Sequence, residues 1–127
     1  MRVRVEVAVF TVRHGTLEVL LGRGPAGTWT LPCADPEDQM SLDGSAARAM
    51  EDSAGLRGIT AEQLYTFDRG EGGVAVAYLA LIDSGRHPLA AGVDVAEVRW
   101  FAHDDLPALA AGQEAVVAYG LSRLRAK

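Results

Sequence analysis

The sequence predicts a single α/β domain in which a mixed β-sheet lies between helices, an α/β/α sandwich. Two observations predict this architecture. Segments with the alternation of half-buried strands stand on both sides of a central helical segment, and an amphipathic helix closes the chain. The 127 residues fit one domain, so we assign residues 1–127 to it.

The chain begins with a predicted β-hairpin. Residues 3–9 carry valine at every odd position and charged residues or alanine between, which is the pattern of a strand with one buried face. His14-Gly15-Thr16 interrupts this pattern, and residues 17–21 resume it. A short strand at residues 28–31 follows and ends at a proline.

The central helix is predicted from its caps and its apolar stripe. Ser41 is a suitable N-cap, since its hydroxyl can accept from a free amide of the first turn. Gly55 ends the helix, because glycine readily takes the left-handed conformation found there. The stripe predicted to face the sheet is Leu42, Ala46, Ala49, Met50 and Ser53.

Three further strands and one helix complete the prediction. We predict strands at residues 63–67 and 74–82, joined by a loop at residues 68–73. A further short strand is predicted at residues 97–101. Residues 112–125 carry apolar side chains at helical spacing, so we predict a terminal amphipathic helix.

Composition excludes several classes of protein. A net charge of −5 argues against nucleic-acid binding by this segment alone, since such binding relies on clustered Lys and Arg. Cys33 is the only cysteine, so no internal disulfide forms. No apolar run approaches the roughly 20 residues of a membrane helix, and residues 1–10 lack the apolar block of a signal peptide. We therefore expect a cytoplasmic protein without a membrane partner.

Residues 31–56 combine a polar loop with a short helix in a recognisable order. Leu31-Pro32 precedes the loop, Ser41 opens the helix and Gly55 closes it. This segment resembles the Nudix box, G-x5-E-x7-R-E-U-x-E-E-x-G-U, in which U is aliphatic. With the pattern laid from position 34 without a gap, the matching residues are Arg48, Met50, Gly55 and Leu56.

The metal-binding acids of the box are mostly replaced. The residues that depart from the family pattern are Ala34 in place of Gly, Met40 in place of Glu, and Ala49, Asp52 and Ser53 in place of three Glu. Carboxylates three and four apart share a helix face, which is how the family's glutamates converge on magnesium. Losing two of them costs several kcal/mol of ion affinity. We expect no resident cofactor, with magnesium or manganese bound only if the protein hydrolyses.

Segments after the box narrow the resemblance. Residues 62–67, 74–81, 98–101 and 121–125 are similar to the Nudix-related transcriptional regulators of NAD metabolism and sugar use. In that group a Nudix-like domain senses ADP-ribose or a related nucleotide, and a DNA-binding winged helix follows. Here no winged helix follows residue 127, so we expect an excised ligand domain or a free-standing relative. The arginine-bearing stretch of the group is reduced to Arg69, and its Asp-His before the last helix is Gly112-Gln113.

The resemblance supplies the candidate site residues. Arg48 and Asp52 are the catalytic remnants, and Asp52 is the sole candidate metal ligand. The candidate ligand-binding residues are Arg23, Trp29, Arg48, Phe67 and Arg69. Simpler interpretations stay open: Arg48 forming a surface ion pair with Asp52 or Glu51, and the two aromatic side chains packing in the core.

The sequence leaves three alternative functions open. The first is binding of a nucleotide-derived small molecule such as ADP-ribose as a regulatory sensor, with weak or no hydrolysis. A second is an active Nudix hydrolase that cleaves a nucleoside diphosphate linked to another group, using Asp52 with relocated acids. The candidate relocated acids are Asp35, Glu37, Asp38 and Glu71. The third is an interaction module that forms a homodimer and binds no nucleotide.

Overall fold

The computed structural model describes residues 1–36, 40–93 and 95–126. The strands and helices in chain order are β1 (Arg2–Arg13), β2 (Thr16–Arg23), β3 (Trp29–Thr30), β4 (Cys33–Ala34), α1 (Leu42–Ala54), β5 (Glu62–Gly70), β6 (Gly73–Leu81), β7 (Glu97–Ala102) and α2 (Gln113–Arg125). The structure confirms the order of elements predicted from the sequence. Only β4 was not predicted, because two residues are too few to show an alternation.

The strands form one mixed sheet. Its main order is β3-β2-β1-β6-β5, with β4 paired to β1 and β7 paired to β2. Strands β1 and β6 run parallel, whereas the other pairs are antiparallel. Strand β1 is therefore central, and its side chains face both layers of helix.

The two helices cover opposite faces of the sheet. The α1 side of the core contains Val5, Val7, Val9, Leu20, Val76, Tyr78 and Ala80 from the sheet and Ala46, Ala49, Met50 and Ala54 from the helix. The α2 side contains Ala8, Phe10, Val19, Leu21, Leu64, Ala77 and Leu79 with Val116, Val117 and Leu121. This confirms the predicted α/β/α sandwich. No described helix has the length and apolarity needed to cross a membrane.

Helix α1 has the predicted caps. The Ser41 hydroxyl accepts a hydrogen bond from the Gly44 amide at 2.9 Å, and Gly55 takes the left-handed conformation with φ 70°. The predicted apolar stripe is wrong at Leu42, which is exposed, while Ser45 is buried. Leu42 is the first helical residue, and the contact with the sheet begins one turn later.

The predicted loop between β5 and β6 is shorter than expected. Gly70 pairs with Gly73, so only Glu71-Gly72 forms the turn, and both residues have positive φ. Two-residue hairpins of this kind match the twist of the flanking strands. Arg69, assigned to the loop from composition, therefore lies in β5 with a fixed direction.

A buried tyrosine ties β6 to the first turn of α1. The Tyr78 hydroxyl donates to Asp43 Oδ1 at 2.6 Å, and the Tyr78 side chain is almost fully buried. Burial and this hydrogen bond to a carboxylate raise the pKa of Tyr78 to about 12. The phenol therefore remains a neutral donor at physiological pH.

Replacing Tyr78 by phenylalanine removes this donor. We expect Tyr78→Phe to lower the free energy of unfolding by about 1–2 kcal/mol at neutral pH. The folded-state pKa of Tyr78 lies above the value of about 10 for an unfolded tyrosine. Its contribution is therefore fully present below about pH 10 and is lost as the pH rises towards 12.

The difference in the free energy of unfolding is measured by urea unfolding of the parent protein and of Tyr78→Phe, at neutral pH and above pH 10. Tyr119→Phe is the matched control, since Tyr119 is exposed and the loss of its hydroxyl should change stability by less than about 0.5 kcal/mol. A parent–variant difference that grows above pH 10 would contradict the assigned pKa.

Candidate functional site

Helix α1 presents one carboxylate where the Nudix box has three. Ala49 is buried in the core and Ser53 is half-buried. Asp52 is exposed, and its Oδ2 accepts from Arg48 Nε at 3.1 Å. The structure thus shows the ion pair that was the simpler interpretation of Arg48.

Within the part of the chain that the structure describes, the donors beside Asp52 do not fit a divalent metal ion. Magnesium prefers near-octahedral oxygen ligands, usually with one or two carboxylates. Among residues 1–36, 40–93 and 95–126, no three His, Cys, Asp or Glu side chains lie close enough together to hold an ion. Of the proposed relocated acids, Asp35 lies in a different cavity from Asp52, and Glu71 lies in the β5–β6 turn. Glu37 and Asp38 lie outside the described residues.

A cleft of about 350 Å³ lies beside the C-terminal turn of α1, and we call it the α1 cleft. The lining includes Thr30, Cys33, Asp52, Ser53 and Val95. Burial raises the pKa of the Cys33 thiol, so the thiol is neutral near pH 7. Cys33 is therefore a half-buried packing residue rather than a nucleophile.

The chain itself covers the C-terminal end of α1. Ala90 donates its amide to the Ala54 carbonyl at 2.9 Å, and Gly92 donates to the Ser53 carbonyl at 3.4 Å. A Cβ at Gly92 would lie 1.6 Å from the Asp52 carbonyl oxygen, so only glycine fits there. This backbone contact restricts the space next to the surviving acid of the box.

A larger cavity of about 450 Å³ lies on the other face of the sheet, beneath the start of α2, and we call it the α2 cavity. Its volume falls within the range of small-molecule sites, about 300–1,000 Å³. The polar lining consists of Arg2, Arg4, Glu6, Asp35, Arg69 and Gln113.

The floor of the α2 cavity is a closed network of hydrogen bonds around Glu6. The carboxylate of Glu6 is almost fully buried, and Arg69 Nη2 donates to its Oε1 at 2.7 Å. Gln113 Nε2 donates to the other oxygen at 3.2 Å, and Gln113 Oε1 accepts from the Leu31 amide at 2.8 Å. Both partners of the carboxylate are thus provided by the protein, which is the condition for burying a charge.

Gly112 allows the close approach that holds Arg69. Gly112 has φ 85°, and a Cβ there would lie 3.0 Å from the Arg69 guanidinium carbon. The guanidinium also lies 5.7 Å from the centroid of the Phe67 ring. Gly112 therefore leaves room for Arg69, and Gln113 binds Glu6.

Two arginines border the mouth of the cavity. Arg4 Nε lies 3.7 Å from Asp35 Oδ1, and both side chains are more than half exposed. Arg2 has no ion-pair partner in the part of the chain that the structure describes. The mouth thus carries more positive than negative charge.

The structure separates the five predicted ligand-binding residues into three places. Arg69 lines the α2 cavity with Phe67 beside it, and Arg48 lies on α1. Arg23 pairs with Glu97 at 3.3 Å. Trp29 lies 5.8 Å from that guanidinium, outside the lining of both cavities. These assignments stay predictions, and only Arg69 lies on a cavity wall.

Both predicted aromatic residues pack against the α2 side of the core. Trp29 meets the Phe101 ring edge-on at 4.8 Å, and Phe67 meets Tyr119 edge-on at 5.8 Å. Both rings are half-buried. This packing agrees with the alternative that the sequence left open.

Sequence reasoning missed Arg2, Arg4, Glu6 and Gln113 as lining residues of the α2 cavity. Positions 2, 4 and 6 were counted on the exposed face of β1, but that face turns apolar at positions 8 and 10. This change from charged to apolar residues was the signal in the sequence, because it indicates that another layer of the fold covers this face of β1 from position 8 onwards. Gln113 was singled out only as part of the pair that stands in place of Asp-His, and no local pattern shows its partners, which lie far away along the chain.

No protein-family model matches this sequence, and no curated protein matches it. Solved structures do match. A MutT/nudix family protein from Enterococcus faecalis aligns with TM-score 0.87 and 24% identity over 99% of this chain and 62% of its own. The NUDIX domain of Shewanella oneidensis NrtR, complexed with ADP ribose, aligns with TM-score 0.85 and 24% identity over 98% of this chain and 88% of its own.

A third similar structure is an ADP-ribose pyrophosphatase from Streptococcus suis, with TM-score 0.80 and 20% identity over 98% of this chain and 92% of its own. The protein therefore has the Nudix fold, as the box resemblance implied. The chain spans less than two thirds of the Enterococcus protein.

The ion pair on the cavity floor predicts an asymmetric effect on stability. Arg69→Met leaves the buried carboxylate of Glu6 with one partner, so we expect the free energy of unfolding to fall by about 2–4 kcal/mol. The double variant Glu6→Gln/Arg69→Met removes the charge and should recover part of that loss. Urea unfolding measures both.

The matched control is Arg57→Met, because Arg57 pairs with Glu51 at 3.3 Å on an exposed surface. Its loss should change stability by less than about 0.5 kcal/mol. Equal losses for Arg69→Met and Arg57→Met would show that Glu6 does not depend on Arg69.

Proposed function

We propose that this protein binds a nucleotide-derived small molecule such as ADP-ribose in the α2 cavity, as a regulatory sensor with little or no hydrolysis. One observation carries the proposal. The α2 cavity is bordered by three arginines, whereas α1 keeps an acid at only one of the three metal-binding positions of the box, Asp52, and that acid is bound to Arg48.

The chemistry of the cavity suits a phosphate-bearing ligand. Guanidinium groups match phosphate oxygens in geometry and stay charged at all physiological pH values. The cavity volume of about 450 Å³ accommodates a nucleotide-sized molecule. Because Glu6 and Gln113 are already hydrogen-bonded to each other, the floor of the cavity offers a rigid surface for a ligand.

The structural relatives support the same class of ligand. The Shewanella NrtR domain is complexed with ADP ribose, and the Streptococcus protein is an ADP-ribose pyrophosphatase. Both share the fold of this chain. We carry the ligand class, and not the reaction, from them to this protein.

Efficient hydrolysis is disfavoured by the charges on α1. A unit charge pair at 4 Å is worth about 4 kcal/mol at an effective dielectric near 20. Two missing carboxylates therefore lower metal affinity by several decades. Asp52, the remaining acid, already forms an ion pair with Arg48. A protein that binds without turnover reports the concentration of its ligand, which is the task of a sensor.

Calorimetry with ADP-ribose tests this function. We expect binding in the presence of EDTA, an unchanged affinity after adding magnesium, and no release of AMP over the course of the titration. An absence of heat with ADP-ribose and with a panel of adenine and sugar nucleotides would remove the sensor. Magnesium-dependent AMP release that Asp52→Ala abolishes would establish the hydrolase instead.

Blocking the cavity tests the location of the ligand. Ala111 lines the α2 cavity, so Ala111→Trp should fill its entrance and weaken ADP-ribose binding by about tenfold or more. Ala108→Trp is the matched control, because Ala108 is exposed in the same connection and does not line the cavity. Equal affinities of the two variants would place the ligand elsewhere.

A further inference from the structure

We propose that Arg2 and Arg4 form a phosphate-binding pair at the mouth of the α2 cavity, and that Asp35 competes with the ligand for Arg4. The inference rests on the proposed function and deepens it. It names the chemical group of the ligand that the protein recognises, a phosphoryl group, and the residues that bind it.

Arg2 and Arg4 are two residues apart on β1, so both side chains point to the same face, about 7 Å apart along the strand. Their partners on β6 are Gly73 and Ala75, which have no side chain or a small one. The surface beside the two guanidinium groups is therefore open to a ligand.

Arg69, the third arginine of the cavity, is bound to the buried Glu6 at 2.7 Å, so these two charges largely cancel. Arg2 has no ion-pair partner among residues 1–36, 40–93 and 95–126. The positive charge that a ligand meets thus lies at the mouth and not on the floor.

Arg4 Nε and Asp35 Oδ1 are 3.7 Å apart, which is longer than a hydrogen bond, and the Asp35 side chain is 80% exposed. Such an exposed pair is weak. An incoming phosphoryl group offers Arg4 a stronger partner, since charge-assisted guanidinium–phosphate bonds form in pairs. Asp35 then acts as an internal competitor that lowers affinity.

The start of α2 adds to the same charge. The helix begins at Gln113 on the cavity wall, and its N-cap residue Gly112 provides no side-chain hydrogen bond. The positive end of the helix dipole favours an anion nearby, and Glu114 in the first turn offsets only part of it. A neutral nucleoside gains none of these interactions, so the pair distinguishes phosphorylated ligands from unphosphorylated ones.

Calorimetry in EDTA with ADP-ribose and with adenosine tests the pair. We expect Arg2→Gln and Arg4→Gln each to weaken ADP-ribose binding by about tenfold or more, and to leave adenosine binding unchanged. Arg13→Gln is the matched control, because Arg13 lies at the other end of β1 and pairs with Glu18. It removes the same charge outside the cavity and should leave both affinities unchanged.

Asp35→Asn supplies a test that a merely structural role would not pass. Removing the competitor should tighten ADP-ribose binding by about two- to fivefold. The gain should vanish in the Arg4→Gln/Asp35→Asn double variant. Weaker binding by Asp35→Asn, or a gain that survives without Arg4, would overturn the competition.

The outcomes separate this inference from the proposed function. If the parent binds ADP-ribose and both arginine variants bind it equally well, the sensor stands and the pair is refuted. If the parent binds no nucleotide, the sensor falls, and titration with inorganic pyrophosphate tests the pair alone. Pyrophosphate binding that Arg2→Gln weakens would support the pair, and an absence of pyrophosphate binding would refute it.

Discussion

The carboxylate of Glu6 requires two partners, because it lies on the face of the central strand that α2 covers. Arg69 of β5 donates to one oxygen and Gln113 of α2 to the other. A charge removed from water destabilises a fold unless its oxygens are fully hydrogen-bonded. These contacts therefore set the positions of β1, β5 and the start of α2 relative to one another. The α2 cavity is the space that remains between them.

The two faces of the sheet differ in the chemistry they support. On the α1 face, Ala49 belongs to the core and Asp52 is bound to Arg48, and the helix of the box-like segment covers the sheet. On the α2 face, charged side chains surround a cavity of nucleotide size. The proposed binding without metal-dependent chemistry rests on this division, since the arginines of the α2 cavity and Asp52 line different spaces.

Local patterns were sufficient to predict the long elements, because burying one face of a strand or helix imposes a period on the sequence. Both caps of α1 were likewise predicted, since capping depends on adjacent residues. The cavity was not predictable in this way. Arg69 and Glu6 are 63 residues apart, and Gln113 lies 107 residues from Glu6. The position of α2 decides which half of β1 is covered, and no local sequence pattern predicts where α2 packs.

A crystal structure of the protein with ADP-ribose, grown without divalent ions, tests the central claim most directly. The account predicts the ligand in the α2 cavity, with a phosphate oxygen within hydrogen-bond distance of Arg2 or Arg4. A ligand in the α1 cleft would contradict it. So would a structure in which ADP-ribose binds only together with magnesium held by Asp52.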